Sequence, residues 1–572
     1  MRAPGLVLVV TLLAACGTRP SPPPLQRLFP ALGEPAFVSL DEEARLAIRL
    51  RPGESRSCQV TAERGSRLAF ALGVLEGGPR EGTVRVTLTA GERAVFTGEM
   101  PARRARWWKR SVTLESAGPV SLGFHVEHVG PDGRPRPPSA GAEPWIALGS
   151  PRLYAPRPGP PHRAFVWISQ DTVRADHLGA YRYPRATSPA FDRFAERAVL
   201  FEQAHAPASW TLPSLASQIL SRYPSFHGAV LRGLGADPRH PTLFEQLAAA
   251  GFTVLGVTGN VFVSPERNLA DGFDALRYSD LKADALTGFA RKLLDEWGGG
   301  DVALFLHYMD PHFSYDPPAP FDTAFDTGYR GPIDGKSFRQ AKTPAEVEHV
   351  KALYDGELAF TDAQIDLLLQ DLERRGILDA AVVAYTADHG EEFKDHGAWG
   401  HADTLYEELL HVPFALRAPG LAPRRIPEKV CLVDLAPTVL DLFGIRAPAA
   451  FQGRSLVPLL RGGRLSEEPT YAETSHTHDR NQKIAVREGR FKYVMNVPRG
   501  READPRILRE ELFDLAADPK ERASLGDPGA RERLRRYALA FLARGRAEPS
   551  QPVTLSLSPS VLERLRALGY VE

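Results

Sequence analysis

Three apolar runs of this chain end in groups that can ligate a metal or move a proton. The run from Ala164 leads into Asp171, the run from Val302 into Asp310-Pro311-His312, and the run from Ala381 into Asp388-His389. One acid after a strand is usually a helix cap. Three such endings, two with a histidine, point to a metal site, because ligands of open α/β sheets bind beyond the carboxyl ends of the strands. Asp and His donors suit Mn²⁺, Zn²⁺ or Ca²⁺ with differing preference. A fourth segment, Ser209 to Leu215, places Pro213 in the first turn of a helix and Thr211 at its N-terminus. Free N–H groups there favour an anion. A hydroxyl beside a metal can lose its proton and attack phosphorus or sulfur. From that segment alone, a plain N-cap contributing about 1 kcal/mol is the stronger reading of Thr211.

The elements that must position these groups are legible in the apolar pattern. Strands are expected at Ala164–Ser169, Thr253–Val257, Val302–His307 and Ala381–Thr386. Helices are expected at Ser188–Arg197, Pro213–Leu220, Thr242–Ala250, Ala283–Glu296 and around Pro344–Arg375. Strands alternating with helices imply a largely parallel α/β sheet. Leu215 and Ile219, four apart, face the core. Upstream, residues 31–155 alternate apolar and polar positions in short runs, such as Thr83 to Leu88, punctuated by Gly and Pro. That pattern reads as a β-sandwich. Within it, Arg103 to Arg110 interleaves basic and aromatic residues. A charged, solvated edge strand is the favoured reading, and an anionic glycan or lipid site the other. A Pro-rich linker, Pro156 to Pro161, ends this part. The strands shorten after Ser466, implying a small α+β subdomain over 466–545, and the tail from 546 to 572 holds one short helix, Pro559–Leu568.

Composition bounds the rest. The 572 residues carry 70 Lys+Arg and 70 Asp+Glu, so there is no overall basic field to hold nucleic acid. The three cysteines, Cys16, Cys58 and Cys431, are too few for a disulfide scaffold. The N-terminus has one Arg, an apolar run from Leu6 to Leu13 too short for a stable span, and then small residues. Leu13-Ala14-Ala15-Cys16 resembles the lipobox of bacterial lipoproteins. That resemblance implies a signal peptide over 1–15, a lipid on Cys16, a Pro-rich tether over 16–30, and residence at the periplasmic or extracellular face of the envelope.

Taken together, the motifs resemble the sulfatase family of the alkaline phosphatase superfamily. Ile168-Ser-Gln-Asp-Thr-Val-Arg-Ala-Asp-His-Leu-Gly-Ala-Tyr181 and Thr187-Ser-Pro189 look like its opening. Ser209 to Ser214, continuing to Arg222-Tyr-Pro-Ser-Phe-His-Gly228, is similar to its nucleophile segment. Thr386 to Phe393, His396-Gly397 and Gly400 to Pro413 resemble its second metal segment, while Leu432 to Asp441 and Glu511 to Pro519 fit its C-terminal segments. The resemblance implies an alkaline-phosphatase-like α/β sandwich core over 162–465 with a small C-terminal α+β subdomain, here preceded by the β-sandwich. It implies that Asp171, Thr211, Asp388 and His389 bind one divalent cation, with Thr211 the nucleophile. It implies His312 near the leaving group, and His401 where typical members place a Lys on the substrate's anionic oxygens. His396 matches less closely, a helix cap or loop role being an equal alternative. Asp310, with Ser314 rather than His four residues on, is a weak ligand candidate, which favours one metal over two.

The departures are informative. Typical sulfatases carry a Cys or Ser at the nucleophile position that another enzyme oxidises to formylglycine, and Thr cannot give that aldehyde. Thr stands there in relatives that transfer or cleave phosphoryl groups. Leu215 replaces the family's Arg. Asp388-His389 replaces Asp-Asn and tilts the metal toward Mn²⁺ or Zn²⁺, with Ca²⁺ still open. The expected activity is hydrolysis of an anionic sulfate or phosphate ester, an envelope glycan or lipid among the candidates, with no nucleic-acid partner. The alternatives are a phosphoglycerol- or phosphoethanolamine-type transferase and an inactive binding module.

Overall fold

The computed structural model describes residues 25–79, 81–103, 106–137, 143–156, 163–279, 281–475, 481–500 and 505–555. The expected signal peptide, Cys16 and the Pro559–Leu568 helix lie outside them.

The centre of the fold is a fully buried parallel strand, Ala164–Gln170, flanked by Val302–Tyr308 and Ala381–Ala387. All three are nearly unbroken apolar runs, as strands covered on both faces must be. Their register decides where the chemistry sits. Gln170 pairs with Tyr308 on one side and Ala387 on the other, so the next residue of each strand emerges at one carboxyl edge. The sheet continues through Thr253–Thr258 to Ala275–Tyr278 on one side. On the other it runs through Phe414–Arg417, Val199–His205 and Arg424–Cys431. These last three strands were not anticipated. Phe414–Arg417 runs antiparallel between two parallel neighbours and spans only four residues.

The helices fall where the 3.6-residue pattern puts them. Pro344–Arg374 opens with a capping box in which Thr343 and Glu346 satisfy each other's backbone N–H groups. Thr242 and Glu245 do the same for Leu243–Ala249. Thr211–Leu220 is buried along its whole length, with Leu215 and Ile219 in the core.

The N-terminal part is a two-layer β structure, one layer of which is continuous with the central sheet. Glu43–Leu50 pairs antiparallel with Ala275–Tyr278 through Ala44–Leu276 and Glu43–Arg277, extending a single sheet to fourteen strands. The facing layer has five strands, among them Thr83–Ala90, whose residues alternate strictly between buried and half-buried. Leu72, Val86, Phe124 and Ile146 pack between the layers. Two sequence expectations change here. The tether expected to run to residue 30 gives way at Leu25, where Leu25–Arg27 pairs with Ile146–Tyr154. The accessory layer is joined by main-chain hydrogen bonds and does not hang on a linker alone.

Trp108–Thr113 is the terminal strand of the large sheet, as the edge-strand reading of the Arg103–Arg110 segment requires. Trp107 and Trp108 are buried, while Arg103, Arg106 and Arg110 are exposed. Trp107 Nε1 donates to Glu43 O at 2.9 Å, and Arg110 stacks on Trp108. Lys109 bridges Glu43 to Glu296 of the α/β part, at 2.8 Å each. Cys58 and Cys431 are free and buried, in the separate cores of the N- and C-terminal parts.

A four-stranded antiparallel sheet, Thr470–Thr474, Asn481–Glu488, Phe491–Pro498 and Arg509–Asp514, closes the C-terminal part beneath the Pro528–Ala547 helix. Lys492 is buried at this joint and salt-bridged to Glu407 and Glu521 at 2.9 Å each.

Candidate active site

The register of the three central strands brings Asp171 and Asp388 side by side, both fully buried. Backbone bonds fix them: Asp171 N donates to Tyr308 O, and Asp388 N to Gln170 O. Asp388 Oδ1 accepts from the N–H groups of Thr172 and His389 at 3.2 and 2.8 Å. The Thr211–Leu220 helix enters from the side. Ser214, one turn in, donates to Asp388 O at 2.6 Å and locks the helix to this edge.

Thr211 is the first residue of that helix, with Trp210 at the N-cap and no side-chain cap. Its hydroxyl turns into the site instead of capping. Oγ1 donates to Asp171 Oδ2 at 3.1 Å and lies 3.3 Å from His389 Nε2. His389 Nδ1 faces Gly390 O at 2.8 Å, so Nδ1 carries the proton and Nε2 presents a lone pair. That lone pair lies 3.5 Å from both Asp171 Oδ1 and Asp388 Oδ2. Neither of these carboxylate oxygens has a hydrogen-bond partner among the described residues. Two orphaned buried oxygens and an imidazole lone pair converging on one point repel each other unless a cation stands between them. The donor set therefore fits a divalent metal, with Thr211 at its margin.

Electrostatics point the same way. Burial and the neighbouring Asp171 push the Asp388 carboxyl well above the usual range. Burial also raises Asp171, but the His307 hydrogen bond and the His312 and His389 imidazoles outweigh it and hold this carboxyl low. Burial lowers His389 to about 3, which keeps its ring neutral and able to ligate.

His307 was not foreseen as a site residue. Ser169 stands opposite it across the strand pair, and its Nδ1 is 3.1 Å from Ser169 Oγ. Its Nε2 is 3.3 Å from Asp171 Oδ2. Asp171, His307 and Asp388 each offer a ligand atom within 4.8 Å of the others. The orphaned oxygen of Asp171 is Oδ1, however, while His307 faces the oxygen that Thr211 already bonds. This geometry makes His307 the partner that orients Asp171. A strand-terminal histidine beside a predicted neighbouring strand was the available signal.

The far wall is aromatic and imidazole. His312 meets His401 edge-on, with ring centres 5.0 Å apart, and the His401 ring centre lies 4.5 Å from that of His389. His401 Nδ1 is 2.9 Å from Glu391 Oε1, and Tyr315 donates to Oε2 of the same buried carboxylate at 2.9 Å. Burial raises Glu391 to about 7. Glu391, two residues past His389, was likewise missed. His312 is buried, which lowers its pKa, while Asp171 draws it back.

Two weaker candidates lie elsewhere. His396 pairs with Glu408 at 2.6 Å and stacks on Tyr406, a structural role. Asp310 turns to Lys282 at 3.9 Å, beside Glu357, and does not join the Asp171 cluster. Leu215, in the family's Arg position, is core.

The sulfatase family model matches residues 163–445, and the model for the C-terminal part of N-sulphoglucosamine sulphohydrolase matches 395–539. Arylsulfatase K of Mus musculus is 32% identical over 188 residues, 31% of this chain and 33% of that protein. Choline-sulfatase of Rhizobium meliloti is 30% identical over 188 residues, 32% of this chain and 35% of that protein. The match thus spans about a third of the length of these curated relatives. Among solved structures, the phosphonate monoester hydrolase of Silicibacter pomeroyi shares the fold at a TM-score of 0.56 with 22% identity, covering 69% of this chain and 97% of that one. A 2-O GAG sulfatase does so at 0.55 with 20% identity, covering 67% and 91%. With the strand-edge cluster, the helix that carries Thr211 and the C-terminal sheet all falling inside the two matched regions, this chain belongs to the sulfatase family of the alkaline phosphatase superfamily.

Proposed function

We propose that the chain is a metal-dependent hydrolase of sulfate or phosphorus esters that works through a covalent ester on Thr211. The observation that carries this reading is the placement of Thr211 Oγ1 against Asp171 Oδ2 and His389 Nε2, at the edge of the orphaned carboxylate pair. Asp171, Asp388 and His389 would hold the cation. When bound, it would lower the pKa of the Thr211 hydroxyl and offset the charge of the ester oxygens.

The residues then divide the work. The Thr211 hydroxyl passes its proton to Asp171 Oδ2, which it already bonds, and its oxygen attacks sulfur or phosphorus in line, the new bond forming as the ester bond to the leaving oxygen breaks; the proton returns to Thr211 when water later cleaves that ester. The leaving oxygen takes its proton from His312. Water next cleaves the Thr211 ester, its proton returning to His312 and the inorganic anion departing. His401, oriented by Glu391, faces the anionic oxygens. Relatives named arylsulfatase and choline-sulfatase support a sulfate substrate. Threonine in place of a formylglycine precursor, and a neighbour named for phosphonate monoesters, support a phosphorus ester. Mn²⁺ or Zn²⁺ suits the histidine-containing donor set better than Ca²⁺. A lipid on Cys16 would hold the enzyme at the bacterial envelope, and mass spectrometry of the mature N-terminus tests that part.

The deciding experiment assays aryl sulfate, phosphate monoester, phosphate diester and phosphonate monoester with metal-loaded protein. Thr211→Ala should lower turnover of the accepted ester at least about a thousandfold while leaving metal binding measurable. Equal turnover in wild type and Thr211→Ala would remove Thr211 from the chemistry.

A further inference from the structure

A buried charge cluster that the proposed chemistry does not use lies next to His312 in the chain. Asp310, just past the Val302–Tyr308 strand, and Glu357, within the Pro344–Arg374 helix, are both buried. Lys282, at the N-cap of the Ala283–Glu296 helix, is exposed and reaches in between them. Its Nζ lies 3.9 Å from Asp310 Oδ1 and 3.4 Å from Glu357 Oε1. Both Asp310 oxygens and Glu357 Oε2 lack a hydrogen-bond partner among the described residues. Burial pushes the two carboxyls up, Asp310 to about 6 and Glu357 to about 8, against the pull of the one ammonium. Two buried carboxyls that share one cation cost stability. Groups kept in such a state cluster where a protein works.

What the cluster holds is the segment 310–316, at both of its ends. Lys282 holds Asp310, and Glu357 Oε1 accepts from Asp316 N at 2.8 Å. His312 lies between these points. Its N donates to Met309 O at 2.9 Å and its Nδ1 to Phe313 O at 2.7 Å, both within its own turn. Nδ1 so placed carries a proton, and Nε2 is the nitrogen that serves the leaving oxygen. A ring bonded in this way to its own turn goes where the turn goes. Tyr315, in the same segment, donates to Glu391, the carboxylate that orients His401. A shift of the segment would thus reach both imidazoles. Misplacing a reacting group by about 1 Å can lower a rate about a hundredfold.

We propose that Glu357, Lys282 and Asp310 are positioning residues for His312: they grip the 310–316 segment at both ends and so set where His312 Nε2 stands against the leaving oxygen. None of the three touches the substrate. Glu357 acts as the acceptor for Asp316 N, a task that the side-chain carbonyl of glutamine performs as well. The proposal rests on the ester-hydrolase reading for the role of His312, and the experiment separates the two.

The test uses the full chain loaded with Mn²⁺ and aryl esters of the accepted class whose leaving groups are 4-nitrophenol, 4-chlorophenol and phenol. A misplaced proton donor matters most where the leaving oxygen is most basic. Glu357→Ala should lower kcat/KM about a hundredfold for the phenyl ester and less than about tenfold for the 4-nitrophenyl ester. His312→Ala should show the same trend more strongly. Glu357→Gln should keep the wild-type series. Lys282→Met, at an exposed side chain, should shift the series in the direction of Glu357→Ala, and it carries the test if Glu357→Ala does not fold. A loss equal for all three leaving groups, or a Glu357→Gln series that matches that of Glu357→Ala, overturns the proposal. A wild type that turns over none of the esters, or a flat loss in His312→Ala, counts instead against the hydrolase reading. Crystal structures of metal-loaded wild type and Lys282→Met then decide the positioning claim. A His312 ring displaced by about 1 Å or more upholds it, and an unmoved ring overturns it.

Discussion

At the residue scale, the site divides into groups that the sequence exposes and groups that only the fold assembles. Asp171, Asp388 and His389 follow apolar runs, and Thr211 precedes Pro213 at a helix start, so position along the chain betrays them. His307 does not stand out, because a histidine inside a seven-residue buried strand resembles a core residue. Its meaning appears only when the register sets it against Ser169 and Asp171. As the partner of Asp171, it should matter to the metal. His307→Ala is expected to weaken Mn²⁺ binding by about 10- to 100-fold, measured by calorimetry, with little change in far-UV dichroism. A second prediction concerns Glu357. Burial, reinforced by Asp310 against the opposing pull of Lys282, raises its carboxyl to about 8. A raised carboxyl binds its proton more tightly in the folded state. Its contribution to stability is therefore complete below the unfolded value and lost as pH rises through about 8. Glu357→Gln, neutral throughout, should gain stability relative to wild type as pH climbs from about 4.5 to 8, and the gain should level off above that. Denaturant melts across this range that show a constant difference would contradict it.

At the element scale, the helices expected between Ser188 and Arg375 all lie within two residues of their observed bounds, and Ala283–Glu296 coincides with them. Their apolar periodicity and caps are local properties, which explains the agreement. The strands Val199–His205, Phe414–Arg417 and Arg424–Cys431 were invisible because the second is only four residues long and the other two carry consecutive polar residues that break any alternation, and they become strands by pairing with distant partners. The segment between His401 and Phe414 must also be held, since it follows directly on the site. The Glu407–Leu410 turn of helix does this by presenting Glu407 to Lys492 of the C-terminal sheet, while Glu407 N donates to Glu521. Glu407 and Glu521 share the fully buried Lys492 ammonium, and Arg487 adds a second cation at 3.4 Å from Glu407. Removing Lys492 leaves two carboxylates buried with too little positive charge. Lys492→Met should therefore destabilise the protein by about 3–5 kcal/mol in denaturant unfolding, far more than the roughly 1 kcal/mol expected from Thr343→Ala at an exposed helix cap. Comparable losses in the two variants would mean that the C-terminal sheet is not braced by this charge cluster.

At the scale of the whole molecule, alternating hydrophobicity identified the N-terminal β layers but not their union with the catalytic sheet. The union depends on two residue pairs, Ala44–Leu276 and Glu43–Arg277, which carry no periodic signal. Side chains reinforce it. Asp274, at the start of the Ala275–Tyr278 strand, is buried with Arg27 at 2.7 Å and Arg152 at 3.7 Å, both from the N-terminal part. Arg67 donates to Trp297 O at 2.8 Å, and Lys109 and Arg45 reach Glu296. A chain shortened to begin at residue 157 would lose every one of these contacts. It would uncover the Ala275–Tyr278 edge, a template for pairing with other chains. It would also strand the Asp274 carboxylate without its two arginines, an uncompensated charge costing several kcal/mol. The shortened chain should accordingly aggregate on expression, whereas the longer protein should unfold in one calorimetric transition that includes both β layers. Arg27→Ala provides a milder version of the same test. It leaves the edge covered but removes the closer partner of Asp274, so it should lower the melting temperature of the entire molecule without splitting the transition. Two resolved transitions in the parent protein, the earlier one alone shifted by Arg27→Ala, would show that the layers fold independently despite their shared sheet.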